Sequence, residues 1–516
     1  MMSPLGLLIV GIQVVAIVVA IGLGILVGDE SYFTIAVIVG ACLTIFCIMR
    51  PGFTAYGSVV LFVSGLTAPS IPLQLNFFNV FSGLLIVSGL VQWALGRFPR
   101  WRMPATYWWI AAFSAVVLVT ILKRGSGLRI LGSSTWGGLV YIELFLMIGV
   151  SFVMPRMALS PRAWRNALLL MGLLAILPAV SDVIVLGTGR LSVWYFIQGS
   201  GQIGMTYVAQ ETGMGVERLF SAGQAGYYLY FAFLLLTGTR RMLSPLRLPL
   251  LCVPVGCVAL ILLSGHRIML LQCFLLLFSV MWLQRAINPK TVLVMGCAVL
   301  LMVFCAITWI DRLPLPAQRA LSFLPGTHVT SVVQKDAEQS LEWRLELWRR
   351  VSKLIPRYLV VGKGFAFNGD ELRIATDPTQ VRDEWEWAIV TGSYHNGPLT
   401  LLIGFGVAGL VTGFAFLTGG TLRHIRFARG EWHDVRLQVC HQTVTGLVVT
   451  MTLIFIFVYG EIRSIVIPFL FYLGVLEALK RRDNELGARE AADAADAAES
   501  GLPEASGLAE LPASRP

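Results

Sequence analysis

Arg344 stands where an arginine needs a reason. Residues Gln339–Leu359 have the period of an amphipathic helix. At about 100° per residue, with Trp348 at zero, Leu341, Leu345, Val351 and Ile355 fall at about +20°, +60°, −60° and −20°, one apolar stripe. Glu342, Glu346, Arg349, Arg350 and Lys353 fall at about 100–200°, the wet face. Arg344 falls at about −40°, inside the stripe. Two readings stay open. It snorkels or pairs with a carboxylate in the packing, or its planar fork aims at an anion such as a diphosphate.

Three more positions carry comparable weight. His395 lies in Gly392-Ser-Tyr-His-Asn-Gly-Pro398. Pro398 suits the first turn of a helix, with Asn396 or Gly397 as its cap. His395 then meets the positive end of a helix dipole, which favours a neutral imidazole able to accept a proton. Arg267 opens an apolar run in Ser264-Gly-His-Arg267, and Arg218 opens another in Glu217-Arg-Leu-Phe220. Glu143 and Asp182 lie about six residues inside apolar runs, roughly 9 Å deep. Carboxylates there are costly and mark either function or pairing with such arginines.

The elements that must hold these residues are membrane helices. Apolar residues make up 56% of the 516 and charged residues 13%, and mean hydropathy is +0.75. Soluble enzymes, secreted proteins and β-barrels do not read this way. The first apolar run, Leu5–Val27, has no Lys or Arg before it and reads as a retained span. Further runs follow at about 33–48, 53–69, 77–95, 105–122, 137–154, 166–188, 219–237, 247–264, 267–284, 291–310, 396–418, 440–460 and 462–479. The expectation is an all-α polytopic bundle of 12–14 spans, with 33–48 and 53–69 as a potential broken hairpin. Membrane helices 1–11 occupy 1–310, a large loop 311–394, the C-terminal helices 395–482, and a disordered tail 483–516.

Charge sets the orientation. The net charge of +10 comes from short loops, so it speaks for the positive-inside rule rather than for nucleic acid. Arg97/Arg100/Arg102, Arg156/Arg162/Arg165, Arg240/Arg241/Arg247, Arg285/Lys290, Arg423/Arg426/Arg429/Arg436 and Lys480/Arg481/Arg482 share one parity. That face is predicted to be cytoplasmic, with both termini on it. Lys123, Arg124 and Arg129 dissent. Asp311–Tyr394, with eleven basic and eleven acidic residues, is predicted to be external. All unexpected charges then fall in the outer half, and the inner half carries only topology charges. The eight cysteines sit in or beside apolar runs without a CxxC pair, and read as small apolar residues. No Walker loop, HExxH, GxSxG or Asp-x-Asp motif occurs. Asp383, Glu384 and Glu386 are the one acidic group that could hold a metal, and a solvated loop is the plainer reading.

Several motifs together resemble a known family. Ser264-Gly-His-Arg267 opens a span. A large loop follows with Arg344-Leu-Glu-Leu-Trp348 and Val361-Gly-Lys-Gly364. His395-Asn396 then leads into Leu399, Gly404, Gly406 and Gly409. Over roughly 210–415 the chain resembles the O-antigen ligase and polysaccharide polymerase superfamily of bacterial envelope glycosyltransferases. Arg218 with Phe220-Ser-Ala-Gly-Gln resembles the family's outer arginine segment. The resemblance implies metal- and cofactor-free, inverting transfer of a polyprenyl-diphosphate-linked glycan to an acceptor glycan or lipid core. The site is the outer face of the bacterial inner membrane. Arg267 and Arg344 would stabilise the diphosphate and His395 would take the acceptor proton. Arg218 would support the donor, while His266, Asn396, Glu143 and Asp182 are read from their own positions as candidate substrate contacts. Gly265-His266 departs from the small hydroxyl residue usual before the arginine. Chain-length-regulating or export proteins are implied partners.

A repeat-unit polymerase is the leading expectation, and an O-antigen ligase with the same donor is its sibling. A transporter or lipid-linked-glycan flippase is the alternative from another class. Internal repeats and midplane charges would favour it, and neither is evident.

Overall fold

The computed structural model describes residues 32–67, 76–97, 103–128, 133–188, 196–197, 219–242, 252–324, 326–376, 383 and 385–499. Leu5–Val27, Arg100, Arg102, Arg129, Arg218, Arg247, Glu384 and residues 500–516 lie outside them. Among the described residues there is no strand, only the isolated bridges Leu66–Ile197 and Trp136–Phe367. The protein is an all-α polytopic bundle, as expected. In lipid only a helix satisfies its own backbone, so each apolar run becomes one.

The first half contributes α1 (Tyr32–Met49), α2 (Pro51–Leu61), α3 (Phe77–Ala94), α4 (Ala105–Arg124), α5 (Leu139–Val153), α6 (Pro161–Leu174), α7 (Ile176–Thr188), α8 (Phe220–Met242), α9 (Cys252–Leu263), α10 (Arg267–Leu283) and α11 (Pro289–Trp309). The loop segment folds as α12 (Leu315–Leu321), α13 (Ser331–Ser352), α14 (Ile355–Tyr358), α15 (Gly369–Thr376) and α16 (Glu386–Thr391). The chain then returns through α17 (Gly397–Ala428), α18 (Val435–Phe457), a π-turn at Ile462–Val466 and α19 (Ile467–Glu499).

Eight described helices are long and apolar enough to cross a membrane, and nine if a bent pair counts as one span. That pair is α1 and α2, bent by 111° at Arg50-Pro51, the broken hairpin the sequence suggested. α6 and α7 together make one 28-residue crossing, while α9 and α10 are apolar but shorter. Short polar side chains start many of these helices. Asn76, Ser160, Asn288, Asn396 and Asp434 each accept a backbone N–H of the first turn, which removes an orphan donor.

α17, α18 and α19 form the centre. α4 packs on α17, α10 on α18 and α5 on α19. α18 and α19 are the most enclosed, whereas α11 is exposed along almost its whole length. Lipid is as apolar as leucine, so close packing rather than water exclusion holds such helices together. Aromatic rings do much of the filling. Phe113 contacts Phe405 and Phe416 at 5.3 and 5.2 Å, and Phe62 stacks on Phe471 at 4.4 Å.

Two expectations change. α19 continues to Glu499, past the predicted start of the disordered tail. Asp483 is fully buried, and its carboxylate accepts the backbone N–H groups of His433 and Asp434 at 2.9 and 3.0 Å. That anchors the helix where composition alone argued for solvation. The far end of α17 from His395 also holds more than topology charges. His424, His441 and Glu477 are buried there. His424 Nδ1 lies 3.1 Å from His441 Nε2, and Arg423 donates to Glu477 at 2.6 Å. Glu477 and the two histidines come from three different helices, so no run of sequence displays the cluster.

Candidate active site

α17 begins the site and also breaks inside it. Asn396 caps the helix by accepting the Leu399 N–H at 3.0 Å. Ten residues on, Gly406 leaves helical geometry at φ 72°, ψ −173°. A break inside a membrane helix orphans backbone groups that something else must satisfy. The stretch Leu359–Gly364 fills it. Val407 N–H donates to the Leu359 carbonyl at 2.8 Å, Lys363 N–H to Ile403 at 2.7 Å and Gly364 N–H to Gly404 at 3.0 Å. Gly362 is required by contact, since a Cβ there would fall 2.1 Å from the Gly404 carbonyl oxygen. Arg124, one of the three charges that broke the positive-inside pattern, donates to the carbonyls of Gly362 and Val361 at 3.0 and 3.2 Å. Lys363 donates to the carbonyls of Ile389 and Val390 at 3.2 and 2.8 Å, closing the end of α16. The Val361-Gly-Lys-Gly364 motif is thus a scaffold for the break.

α13 packs over this platform on a face rotated from the expected one. Leu347 and Val351 are fully buried, in a cluster with Ala388, Tyr394 and Ile403. Leu341 and Leu345, assigned to the stripe, are 61% and 54% exposed. The packed side is centred on Leu347, which the sequence reading left out, and two tryptophans flank it. Trp348 Nε1 donates to the Tyr394 carbonyl at 2.9 Å, and Trp385 Nε1 to the Trp343 carbonyl at 3.1 Å. Arg344 stays on the inward side under either assignment. It is half-buried, and among the described residues no carboxylate or hydrogen-bond acceptor engages it. Burial, and after it the charge of Arg319, holds its guanidinium below the usual arginine range.

Arg350 is not the idle wet-face residue the periodicity implied. It donates to Glu346 at 2.8 Å and to Asp383 at 2.6 Å, and its guanidinium lies 4.1 Å from the Trp385 ring centroid. Asp383 also accepts the N–H groups of Trp385 and Glu386, both at 3.0 Å. This carboxylate is a turn cap and ion-pair partner. Among the described residues, no group of three His, Cys, Asp or Glu side chains is arranged to hold a metal.

Arg267 lies at the start of α10, directly after the N-cap His266. Its Nε donates to the Arg319 carbonyl at 3.1 Å and its Nη2 to Ser322 Oγ at 2.7 Å. Arg319, missed in the sequence, is buried. It donates to the Gly265 carbonyl at 2.7 Å and forms an ion pair with Asp336. The charges of Arg319 and Arg344 both reach Arg267, and that of Arg344 reaches His395. Three guanidiniums therefore share one field with Asp336 as their close carboxylate. Such a field suits a bound polyanion.

His395 takes the left-handed conformation, with φ 51°. That is uncommon for a residue with a Cβ, and such backbones cluster at functional sites. Its ring lies between Trp343 and Tyr459, at centroid distances of 5.6 and 5.2 Å. Its Nδ1 is 3.4 Å from Glu461 Oε1, a charge contact rather than an aligned hydrogen bond. Ser393 donates its hydroxyl to the same oxygen. Burial lowers the His395 pKa from the ordinary imidazole value and Arg344 adds to this, while Glu461 opposes it.

The remaining expected residues divide. The His266 ring packs edge-on against Phe220 at 5.0 Å, beside Arg267. The Asn396 side-chain oxygen is committed to its cap. Glu143 pairs with Arg463 at 2.8 Å rather than with Arg267. Asp182 is fully buried and accepts the Ser221 hydroxyl of α8. Both carboxylates therefore have structural partners. Arg319 gave no sequence signal because its seven-residue helix is too short to show a period. The role of Glu461 needed the fold to bring it beside His395, 66 positions earlier in the chain.

Comparison with known proteins adds one finding. Residues 251–414 match the family model described as O-antigen ligase. The match runs from α9 into the middle of α17, taking in Arg267, Arg319, Arg344 and His395 but not Glu461. Over this stretch, about a third of the chain, it is similar to the O-antigen ligase and polymerase superfamily that its motifs resemble. No curated protein matches the chain.

Proposed function

We propose that this chain, a multi-pass membrane protein with an O-antigen ligase stretch, transfers a glycan from a polyprenyl diphosphate to an acceptor hydroxyl. The reading extends to its acceptor, the growing end of a repeat-unit polysaccharide, and to its site, the outer face of the bacterial inner membrane. Inversion at the anomeric carbon and independence of metal belong to the same reading.

One observation carries it. Arg344 presents a half-buried guanidinium that no carboxylate among the described residues engages, in the field of Arg267 and Arg319 and with its charge reaching His395. A departing diphosphate gains negative charge, and donors fixed beforehand in a poorly solvated site stabilise it most as that charge forms. Arg344 would contact the diphosphate directly. Arg267 and Arg319, held by α12, would supply the surrounding positive potential. His395, kept neutral by burial, would accept the proton of the attacking hydroxyl. A long lipid donor accounts for a catalyst whose charged site caps a bundle of apolar helices.

Ligation to a lipid core is the second reading, favoured by the description of the matched family. It shares every donor-side group and differs only in the acceptor. Transfer in proteoliposomes tests both. A defined polyprenyl-diphosphate oligosaccharide is offered either more of itself or a lipid-core acceptor. Lengthened lipid-linked product supports polymerisation, and glycan on the lipid core supports ligation. Movement of intact donor across the bilayer without transfer would replace both readings with flipping.

A further inference from the structure

We propose that Glu461 is a positioning residue for His395, holding the imidazole with Nδ1–H toward its carboxylate and the Nε2 lone pair open to the acceptor hydroxyl. The inference rests on the transfer reading above.

Glu461 precedes the π-turn at Ile462–Val466 in extended geometry, φ −138°, ψ 156°. One of its oxygens, Oε1, serves two partners in the junction ahead of α17. It accepts from the Ser393 hydroxyl and lies 3.4 Å from His395 Nδ1. The segment around it is locked to that junction. Thr400 donates its hydroxyl to the Gly460 carbonyl at 2.8 Å, and Tyr459 contributes one of the two rings enclosing His395. The histidine cannot turn far between Trp343 and Tyr459. Its backbone is held in a conformation that it would not choose alone.

A neutral imidazole has one N–H and one lone pair, and the group facing one nitrogen decides which is which. A carboxylate at Nδ1 selects the Nδ1–H tautomer, as carboxylates do for metal-binding histidines. In the transfer, the acceptor oxygen bonds to the anomeric carbon. The bond from that carbon to the diphosphate oxygen breaks, and its electron pair leaves with the diphosphate. The acceptor proton moves to Nε2. Glu461 then faces the imidazolium so formed. The charged and titratable groups facing His395 are Arg344 from α13, and Tyr459 and Glu461 from the segment after α18. Arg344 opposes protonation and Glu461 favours it.

The test uses the full-length protein in proteoliposomes with defined donor and acceptor, as wild type, Glu461→Gln, Ser393→Ala and His395→Ala. Two quantities are read against pH. One is the turnover rate. The other, without substrate, is diethylpyrocarbonate modification of His395 followed by mass spectrometry, which reports the neutral imidazole. Glu461→Gln should lower kcat at least about 10-fold and by no more than the ~10²–10⁴ that a general base contributes, with little change in KM. Both pH midpoints should move downward, because the charge that favours protonation is gone. Ser393→Ala removes the loop tie and keeps the charge, so its midpoints should match wild type. Wild-type kcat and midpoints in Glu461→Gln, or equal midpoint shifts in Ser393→Ala, would make Glu461 a loop tie and end the proposal. Wild-type turnover in His395→Ala is a separate result, and it would remove the transfer mechanism itself.

Discussion

Arg267 and Arg319 hold each other's backbone. Arg267 Nε donates to the Arg319 carbonyl at 3.1 Å, and Arg319 Nη1 donates to the carbonyl of Gly265, two residues before Arg267, at 2.7 Å. The exchange fixes the start of α10 against α12. It also keeps two like charges close together, with the carboxylate of Asp336 on Arg319 to offset them.

Arg319→Ala should therefore destabilise the protein. It removes the ion pair with Asp336 and the donor to the Gly265 carbonyl at the mouth of α10. Breaking a largely buried pair from one side costs on the order of 3–5 kcal/mol. Thermal unfolding in detergent reads this, and Arg344→Ala should stay close to wild type in the same assay. An Arg319→Ala protein that melts with wild type would show that the exchange holds nothing.

Arg344→Ala and Arg344→Lys should both lose most transfer while folding normally. Lysine keeps the charge but not the planar fork. Loss of a contact to a developing anion is worth about 3–4 kcal/mol, or ~10²–10³ in rate. The matched control is Arg349→Ala, since the Arg349 side chain is 70% exposed and should be silent. Arg350→Ala should instead fall between them, because Arg350 ties α13 to Asp383 and Trp385. Near-full turnover in Arg344→Lys would reduce Arg344 to a simple point charge.

The acidic limb of the rate profile should have its midpoint below pH 6.5. A general base works when neutral, and burial and Arg344 lower the His395 pKa from 6.5. The acidic limb of kcat/KM must then lie below that value. Arg344→Ala removes one of the lowering causes, so its limb should move upward even as its rate falls. A wild-type limb at or above pH 6.5 would contradict the burial of this imidazole.

Single cysteines at Thr376 and Arg423 should label from opposite sides of the membrane. The eight native cysteines are all free, so a cysteine-free background breaks no disulfide. An impermeant maleimide should reach Thr376 in intact spheroplasts, and Arg423 only after lysis. The reverse pattern would invert the positive-inside assignment and put the site on the cytoplasmic face.

EDTA should leave transfer by the purified protein unchanged, because three arginines are available for the charge work that a metal would otherwise do. Loss of activity in EDTA, restored by magnesium or manganese, would overturn this.

The sequence alone determined the solvent and the inventory. Runs of about twenty apolar residues permit no other structure in lipid than helices, so the all-α bundle was legible. So was the junction at His395, because an Asn-Gly-Pro start marks a helix whatever surrounds it. Arg344 was legible because 100° per residue holds along any helix. The tertiary structure decided which side of that helix packs. Tryptophan and leucine on both sides of the stripe left its centre uncertain by about 80°, and only Ala388, Tyr394 and Ile403 selected Leu347 over Leu341. Arg319, Glu461 and the His424–His441–Glu477 cluster were likewise decided in three dimensions. Each depends on a partner dozens of residues away, and helix periodicity reports only on neighbours within a few turns. The same holds for Arg124. Its charge appeared as an exception to topology, and became explicable once the break at Gly406 brought the carbonyls of Val361 and Gly362 within its reach.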